Sequence, residues 1–156
     1  MKNFSFFLIL FFYFFSFDDT FSNGDLTRQK AIKVEVFMKG SLGKIHYFEP
    51  STLTFKTGNL YNLKIKNVSD SKHYFSSVRF ANSIFTRKIQ LVLNENKIAE
   101  IKGLISEIEI FPNHSLEWWF VPIKTGVFND LHCRIKDKES KRSHSEMGMV
   151  GTIIIE

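Results

Sequence analysis

The sequence predicts an all-β protein, a Greek-key two-sheet antiparallel β-sandwich with one short helix. From residue 31 onward, apolar residues mostly alternate with polar ones in short runs bounded by Gly, Pro, Asn and Asp. This period of two is the pattern of half-buried strands. There are about seven such runs with long connections between them, which is typical of a sandwich. Helical spacing occurs only over residues 76–85.

The first predicted strands each show their own alternation. Over residues 32–36, Ile and Val alternate with Lys and Glu. Over residues 61–66, Tyr, Leu and Ile alternate with Asn and Lys, directly after a turn signal at Gly58 and Asn59. Over residues 107–110, Glu and Ile alternate. Each run therefore predicts one apolar face directed to a core.

Two further strands and the helix complete the prediction. The run 116–120 follows a turn at Pro112 and Asn113, and its alternation puts Leu116, Trp118 and Phe120 on one face. One of the neighbouring Trp118 and Trp119 is therefore expected to face inward and the other outward. The run 149–155 closes the chain as a strand. Between the runs 61–66 and 107–110, Phe80 and Ile84, with Ser77 and Ala81, have the spacing of three and four that predicts the helix.

Length and composition limit the classes of protein. The chain has 156 residues, 44% of them hydrophobic and 24% charged, which is room for one domain and excludes multidomain enzymes. A single Cys excludes an intramolecular disulfide and a metal site made only of clustered thiolates. The formal charge of +5 and the pI near 9.3 favour an acidic partner or surface.

Residues 1–22 are predicted to be a signal peptide. Lys2 precedes a largely apolar run, residues 4–17, which ends before Asp18 and Asp19. As a helix this run would span about 21 Å, short of the roughly 30 Å hydrocarbon core. No Ala-x-Ala cleavage site is present, so an uncleaved membrane tether stays open. We expect a periplasmic or otherwise exported domain, residues 31–156, and loss of residues 1–22 raises the formal charge from +5 to +6.

Four residues suggest a metal site. Cys133, His144 and Met149 follow one another near the C-terminus, and His73 lies upstream after a predicted strand. One thiolate, two imidazoles and a weak axial thioether are the ligands of a blue-copper centre, because soft sulfur suits Cu(I) and imidazole suits both oxidation states. Met147 competes with Met149 for the axial position. A sandwich can bring the two parts of this set together.

The sequence around these residues resembles the cupredoxins. Residues 126–133 read GVFNDLHC and residues 144–155 read HSEMGMVGTIII, which is similar to the C-terminal copper motif of that family, and of plastocyanins in particular. Residues 55–67, FKTGNLYNLKIKN, resemble the cupredoxin strand and Asn-rich turn that deliver the first His ligand. KHYF at 72–75 and FTRK at 85–88, with residues 108–122, resemble bacterial periplasmic cupredoxin-like proteins. The resemblance covers residues 31–156 and implies one copper ion bound by His73, Cys133, His144 and Met149.

Two positions depart from the family pattern. Ten residues separate Cys133 from His144, where cupredoxins usually have only a few. A longer loop closes at little extra entropy, about 0.6 kcal/mol per doubling, so we expect binding to survive with reduced rigidity. The residue after the first His is Tyr74, where the family often has Asn, so one restraint on the site is expected to differ.

The remaining candidates are interpreted as ordinary residues. His132 would point away from Cys133 in an extended segment. His46 and His114 are predicted to lie on the surface. Residues 136–142 are read as a solvated loop, with a role in steering an acidic partner as the alternative.

We expect one-electron transfer, with a redox partner protein that has an acidic docking surface. The chain has no Gly-rich phosphate loop, no His-Glu-x-x-His motif and no Gly-x-Ser-x-Gly turn. A copper oxidase with several copper sites would need many more His than five and a second domain, so the sequence predicts that the chain is not an enzyme. It is expected to be a monomer that binds no nucleic acid and meets a membrane only through an uncleaved N-terminal segment. Two other functions stay open, a copper-handling protein and a copper-free binding module.

Overall fold

The computed structural model describes residues 24–93 and 96–156. The predicted signal peptide, residues 1–22, lies outside them. A 3₁₀ helix, Leu26–Arg28, precedes the first strand, and the helix α1, Val78–Ala81, lies between β5 and β6. The strands are β1 (Ile32–Gly40), β2 (His46–Glu49), β3 (Thr52–Phe55), β4 (Tyr61–Asn67), β5 (His73–Ser76), β6 (Ile84–Leu93), β7 (Asn96–Ile101), β8 (Glu107–Ile110), β9 (Ser115–Pro122), β10 (Gly126–His132) and β11 (Val150–Ile155).

The strands form two sheets, which confirms the predicted β-sandwich. One sheet has the order β2-β1-β4-β9-β6-β7 and the other the order β3-β11-β10-β5-β8. Two of the neighbouring pairs, β1 with β4 and β3 with β11, are parallel. The prediction of a wholly antiparallel sandwich is therefore wrong in these two places, because alternation along a strand does not encode the direction of its neighbour.

The helix is shorter than its spacing predicts. Its N-cap is Ser77, whose side chain accepts a hydrogen bond from the Phe80 amide, and the helix ends at Ala81. Ile84, predicted to be helical, instead starts β6 and pairs with Pro122 of β9. Phe80 and Ile84 both face the core, so a strand following a short turn satisfies the same burial as a longer helix.

Aromatic side chains fill the space between the sheets. Phe120 packs edge-to-face against Phe55 and Phe80, with ring centroids 5.1 and 5.3 Å apart, and Trp118 packs in the same way against Phe80 at 5.6 Å. Burying each large side chain contributes roughly 1.5–3 kcal/mol. As predicted, the two neighbouring Trp side chains face opposite sides: Trp118 is buried, and Trp119 faces outward, where the Lys88 ammonium lies 5.2 Å from its ring centroid.

Within residues 24–93 and 96–156, no helix has the length and apolar character needed to span a bilayer.

Candidate metal centre

Three of the four predicted ligands lie at the ends of three neighbouring strands of one sheet, and the fourth, His144, lies in the segment that joins β10 to β11. His73 is the first residue of β5, Cys133 directly follows β10, and Met149 directly precedes β11. These strands lie in the order β11-β10-β5, and His132 is paired with both Val150 and Ser76. The sheet register therefore brings the ligand-bearing ends together at one end of the sandwich.

Three of the predicted side chains converge on one point. Cys133 Sγ lies 3.8 Å from His73 Nδ1 and 3.6 Å from His144 Nδ1. For comparison, an ion with a thiolate at about 2.3 Å and imidazoles at about 2.0–2.1 Å, in a trigonal plane, spaces sulfur and nitrogen by about 3.8 Å. The two Nδ1 atoms are closer together, at 2.9 Å. The sulfur–nitrogen distances and the chemistry of the donor atoms thus fit a small His₂Cys metal site.

Burial keeps both imidazoles neutral. Desolvation, with the nearby His144 and His46 rings, lowers the pKa of His73 to about 3. Desolvation, with the His46 ring, lowers the pKa of His144 to about 4. Neutral imidazole is the form that binds metal ions, so both rings are ready for ligation at neutral pH.

The turn before β5 fixes the orientation of His73. Ser69 Oγ lies 2.7 Å from His73 Nε2, and the same hydroxyl can donate to Asn67 Oδ1 or to the Ser71 carbonyl, each 2.8 Å away. Since the hydroxyl has one proton and two other acceptors within reach, the network is best satisfied when His73 Nε2–H donates to Ser69. His73 Nδ1 then carries the lone pair and faces Cys133. A hydrogen bond of this kind selects the tautomer and direction of a metal-binding histidine.

Backbone amides surround the thiol. The Tyr74 amide donates a hydrogen bond to Cys133 Sγ at 3.2 Å. Burial raises the pKa of the Cys133 thiol, and the amides of Tyr74 and Ile135 partly offset that effect. The contact at position 74 comes from the main chain, so it does not require the Asn that the family often has there. The Tyr74 side chain instead lies under the Arg134 guanidinium, 4.8 Å from the ring centroid.

The segment 133–149 is internally hydrogen-bonded. The His144 amide donates to the Ile135 carbonyl at 2.7 Å, and the Ser145 amide donates to the Cys133 carbonyl at 2.9 Å. Lys136 and Ser143 form a β-bridge. The ten intervening residues are therefore folded as a small hairpin, in contrast to the reduced rigidity that loop length alone predicts.

The two candidate axial sulfurs have different surroundings. Met149 is fully buried, its amide donates to the His144 carbonyl at 2.8 Å, and its carbonyl accepts from the Cys133 amide at 3.1 Å. Met147 is half-buried, and its Sδ accepts a hydrogen bond from Ser140 at 3.2 Å. Backbone contacts thus join Met149 directly to two of the predicted ligands.

His46 corrects one prediction. It is fully buried instead of lying on the surface, whereas His114 is exposed as predicted and His132 is half-buried. A donor nitrogen from each of His46, His73 and His144 lies within 4.8 Å of the other two. The sequence contained a signal for this position, because His46 and Phe48 alternate with Tyr47 and Glu49 and both face inward.

Asp137 corrects the prediction that residues 136–142 form a solvated loop. It lies in the segment predicted to be solvated, yet it is almost completely buried. Its pKa is held well below the usual range, chiefly because the amides of Ser140 and Gly43 donate hydrogen bonds to the carboxylate. A charged run can therefore hold a buried anion at one position.

Neither a protein-family model nor a curated protein sequence matches the chain. Two kinds of solved copper protein are similar in structure. A multicopper oxidase from Campylobacter jejuni is 20% identical with a TM-score of 0.55, and the match covers 81% of this chain and 30% of that one. A copper nitrite reductase from Nitrosomonas europaea is 11% identical with a TM-score of 0.56, and the match covers 86% of this chain and 52% of that one. A copper nitrite reductase from Thermus scotoductus is 14% identical with a TM-score of 0.55, and the match covers 84% of this chain and 32% of that one. The chain spans 30–52% of the length of these proteins. They have the cupredoxin fold, so the predicted resemblance is confirmed at the level of fold.

The same comparison corrects the prediction that the chain is not an enzyme. Multicopper oxidases and copper nitrite reductases are enzymes, and they share this fold. The motifs whose absence supported the prediction belong to phosphate, zinc-hydrolase and nucleophilic chemistry, and the His count and missing second domain concern only copper oxidases with several copper sites. Their absence therefore does not exclude redox catalysis.

Proposed function

We propose that the chain binds one copper ion through His73, Cys133 and His144, with Met149 as a weak axial ligand, and that it transfers single electrons. The observation that carries this proposal is the convergence of one thiol and two imidazole Nδ1 atoms within 3.8 Å at a buried end of the sandwich. Soft sulfur combined with imidazole fits copper. Bound copper would supply exchange between Cu(I) and Cu(II).

The protein residues contribute a fixed arrangement of ligands. Ser69 holds the His73 ring, the Tyr74 amide contacts the Cys133 sulfur, and the hairpin within 133–149 holds His144. A ligand set that moves little between oxidation states favours electron exchange. The copper-handling alternative calls for a mobile loop, and the hydrogen bonds of this hairpin argue against it.

His144 offers the route to a partner. It lines a surface cavity of about 290 Å³, which His73 and Cys133 do not line. Lys72, Lys136 and Lys138 lie around this cavity. We propose that an acidic redox partner docks there, and that the protein is exported to the compartment where it meets that partner.

Metal analysis and visible absorption test the proposal. The full-length protein, purified from copper-replete cells, should contain one copper per chain and, when oxidised, show an intense thiolate-to-copper charge-transfer band. Cys133→Ser should abolish the band, and His114→Ala, at an exposed His, should leave it unchanged. Zinc alone, or copper without the band, would contradict the proposal.

A further inference from the structure

Two buried side chains beside the metal site have no role in the proposed ligand set. The His46 ring stacks on the His144 ring, with centroids 3.8 Å apart and planes inclined by 20°. His46 Nε2 lies 3.4 Å from Asp137 Oδ2, and both side chains are fully buried. A buried imidazole and carboxylate in contact with a predicted ligand call for a physical explanation.

We propose that His46 is a positioning residue for His144, and that Asp137 holds His46 in place. Together they make the ten residues between Cys133 and His144 a preorganised part of the copper site. This inference rests on the proposed function, because it takes His144 to be a copper ligand.

The stacked geometry argues against His46 as a ligand itself. An imidazole binds a metal ion through a lone pair that lies in the plane of its ring. The His46 and His144 planes are close to parallel and are separated by a stacking distance. Their lone pairs therefore do not meet at one ion, and the face of His46 instead limits tilting of the His144 ring.

Asp137 joins two separate segments. Its carboxylate accepts hydrogen bonds from the amides of Glu139 and Ser140 within the hairpin, at 3.0 and 2.6 Å. It also accepts from the Gly43 amide, at 3.0 Å, in the turn that leads to His46. One buried anion thus links the 133–149 hairpin to the start of β2.

The backbone of His46 and the free edge of its ring are also held by their surroundings. The His46 amide donates to the Met147 carbonyl at 3.3 Å, which adds a second link between β2 and the hairpin. A Cβ at Gly40, where φ is +142°, would lie 2.4 Å from His46 Nδ1. The ring therefore fills the space between Gly40 and His144 and has little room to move.

The test compares His46 variants of the full-length protein loaded with copper. His46→Leu removes the flat ring, so the charge-transfer band should shift and copper should be lost to a chelator about tenfold faster, within the range seen when a group supporting a ligand is removed. His46→Phe restores a ring face and should bring the band back toward the wild-type position. His114→Leu, at an exposed His, is the matched control and should behave as wild type.

Different results would contradict the proposed function and the positioning role of His46. Wild-type protein without copper or without the band would contradict the proposed function. If the wild type has the band and His46→Leu matches it in both band position and copper release, the positioning role is wrong. If pulsed EPR counts one bound nitrogen fewer in His46→Leu, His46 is a ligand and the inference is overturned. Should that variant not fold, Asp137→Asn decides: faster release with an unchanged nitrogen count supports the inference, and wild-type release overturns it.

Discussion

At neutral pH the Cys133 thiol is protonated, whereas the His73 and His144 imidazoles are neutral. Burial raises the pKa of the thiol from an ordinary value that is already above 7, and it lowers the pKa of the two imidazoles to about 3 and about 4. At pH 7 the imidazoles are thus already deprotonated, and the thiol is not. Ligation requires the thiolate.

We therefore predict that copper binding at pH 7 releases about one proton per ion, and that this proton comes from Cys133. Calorimetric titration in buffers of different ionisation enthalpy measures this number. Cys133→Ser should release none. Release of two or three protons by the wild type would show that the imidazoles are protonated before binding, against the effect of their burial.

The axial sulfur is expected to tune the reduction potential. Met149→Leu should retain copper, because three strong ligands remain, and should raise the reduction potential, because a donor that stabilises Cu(II) is lost. Met147→Leu is the matched control, since its sulfur contacts Ser140, and it should change the potential little. Voltammetry of the two variants decides, and a shift confined to Met147→Leu would assign the axial position to that residue.

At the scale of elements, Asn67 connects the end of β4 to the turn before His73 and to β8. Its Nδ2 donates to the carbonyls of Ser71 and Ile110, both at 2.8 Å, and its Oδ1 accepts from the Ser69 amide and hydroxyl. The side chain is fully buried, so its removal leaves several buried groups without a partner.

Asn67→Ala should lower the free energy of unfolding of the apo-protein by about 3 kcal/mol, measured by urea denaturation. Asn62→Ala, which removes one side-chain hydrogen bond to Glu117, is the control and should cost about 1 kcal/mol or less. Equal losses in the two variants would mean that the Asn67 network does not stabilise the turn.

The sequence predicted those elements whose burial alternates strongly. In β4 and β9 the apolar residues at every second position are all buried, and both strands were predicted. In β7 every residue is exposed, so no alternation marks it as a strand. The parallel pairing of β1 with β4 depends on contacts between distant segments, which periodicity does not carry.

The metal site shows the same division. Cys133, His73 and His144 could be predicted as ligands because their chemistry is a property of residue type, and a flanking resemblance gave their order. His46 could not be assigned a role in the same way, since that role depends on stacking against a residue distant in sequence. The burial of Asp137 could not be predicted, because the charged residues on either side of it gave the segment the composition of a solvated loop.

At the scale of the whole molecule, the basic charge should speed association with anionic redox partners. Lys136 and Lys138 line the cavity next to His144, whereas Lys141 and Arg142 donate to main-chain carbonyls of their own loop. The first two are therefore better placed for steering. Screening of exposed charges has a length of about 10 Å at 0.1 M salt.

We predict that oxidation of the Cu(I) protein by hexacyanoferrate(III) slows as ionic strength rises, and that changing Lys136 and Lys138 to Gln flattens this dependence. Stopped-flow kinetics measures both slopes. Changing Lys33 and Lys64 to Gln removes the same charge at a polar groove of the other sheet and is the control. Equal slopes for the two double variants would show that net charge, and not the cavity rim, governs the rate.

The atoms that hold the copper ion can be identified by spectroscopy. X-ray absorption at the copper edge of the loaded full-length protein measures the type and distance of the ligand atoms directly. The structure predicts one close sulfur, from Cys133, and two imidazole nitrogens, from His73 and His144, with any further sulfur at long range. Three imidazole nitrogens and no close sulfur would contradict this account, because His46 would then have taken the place of Cys133 in the ligand set.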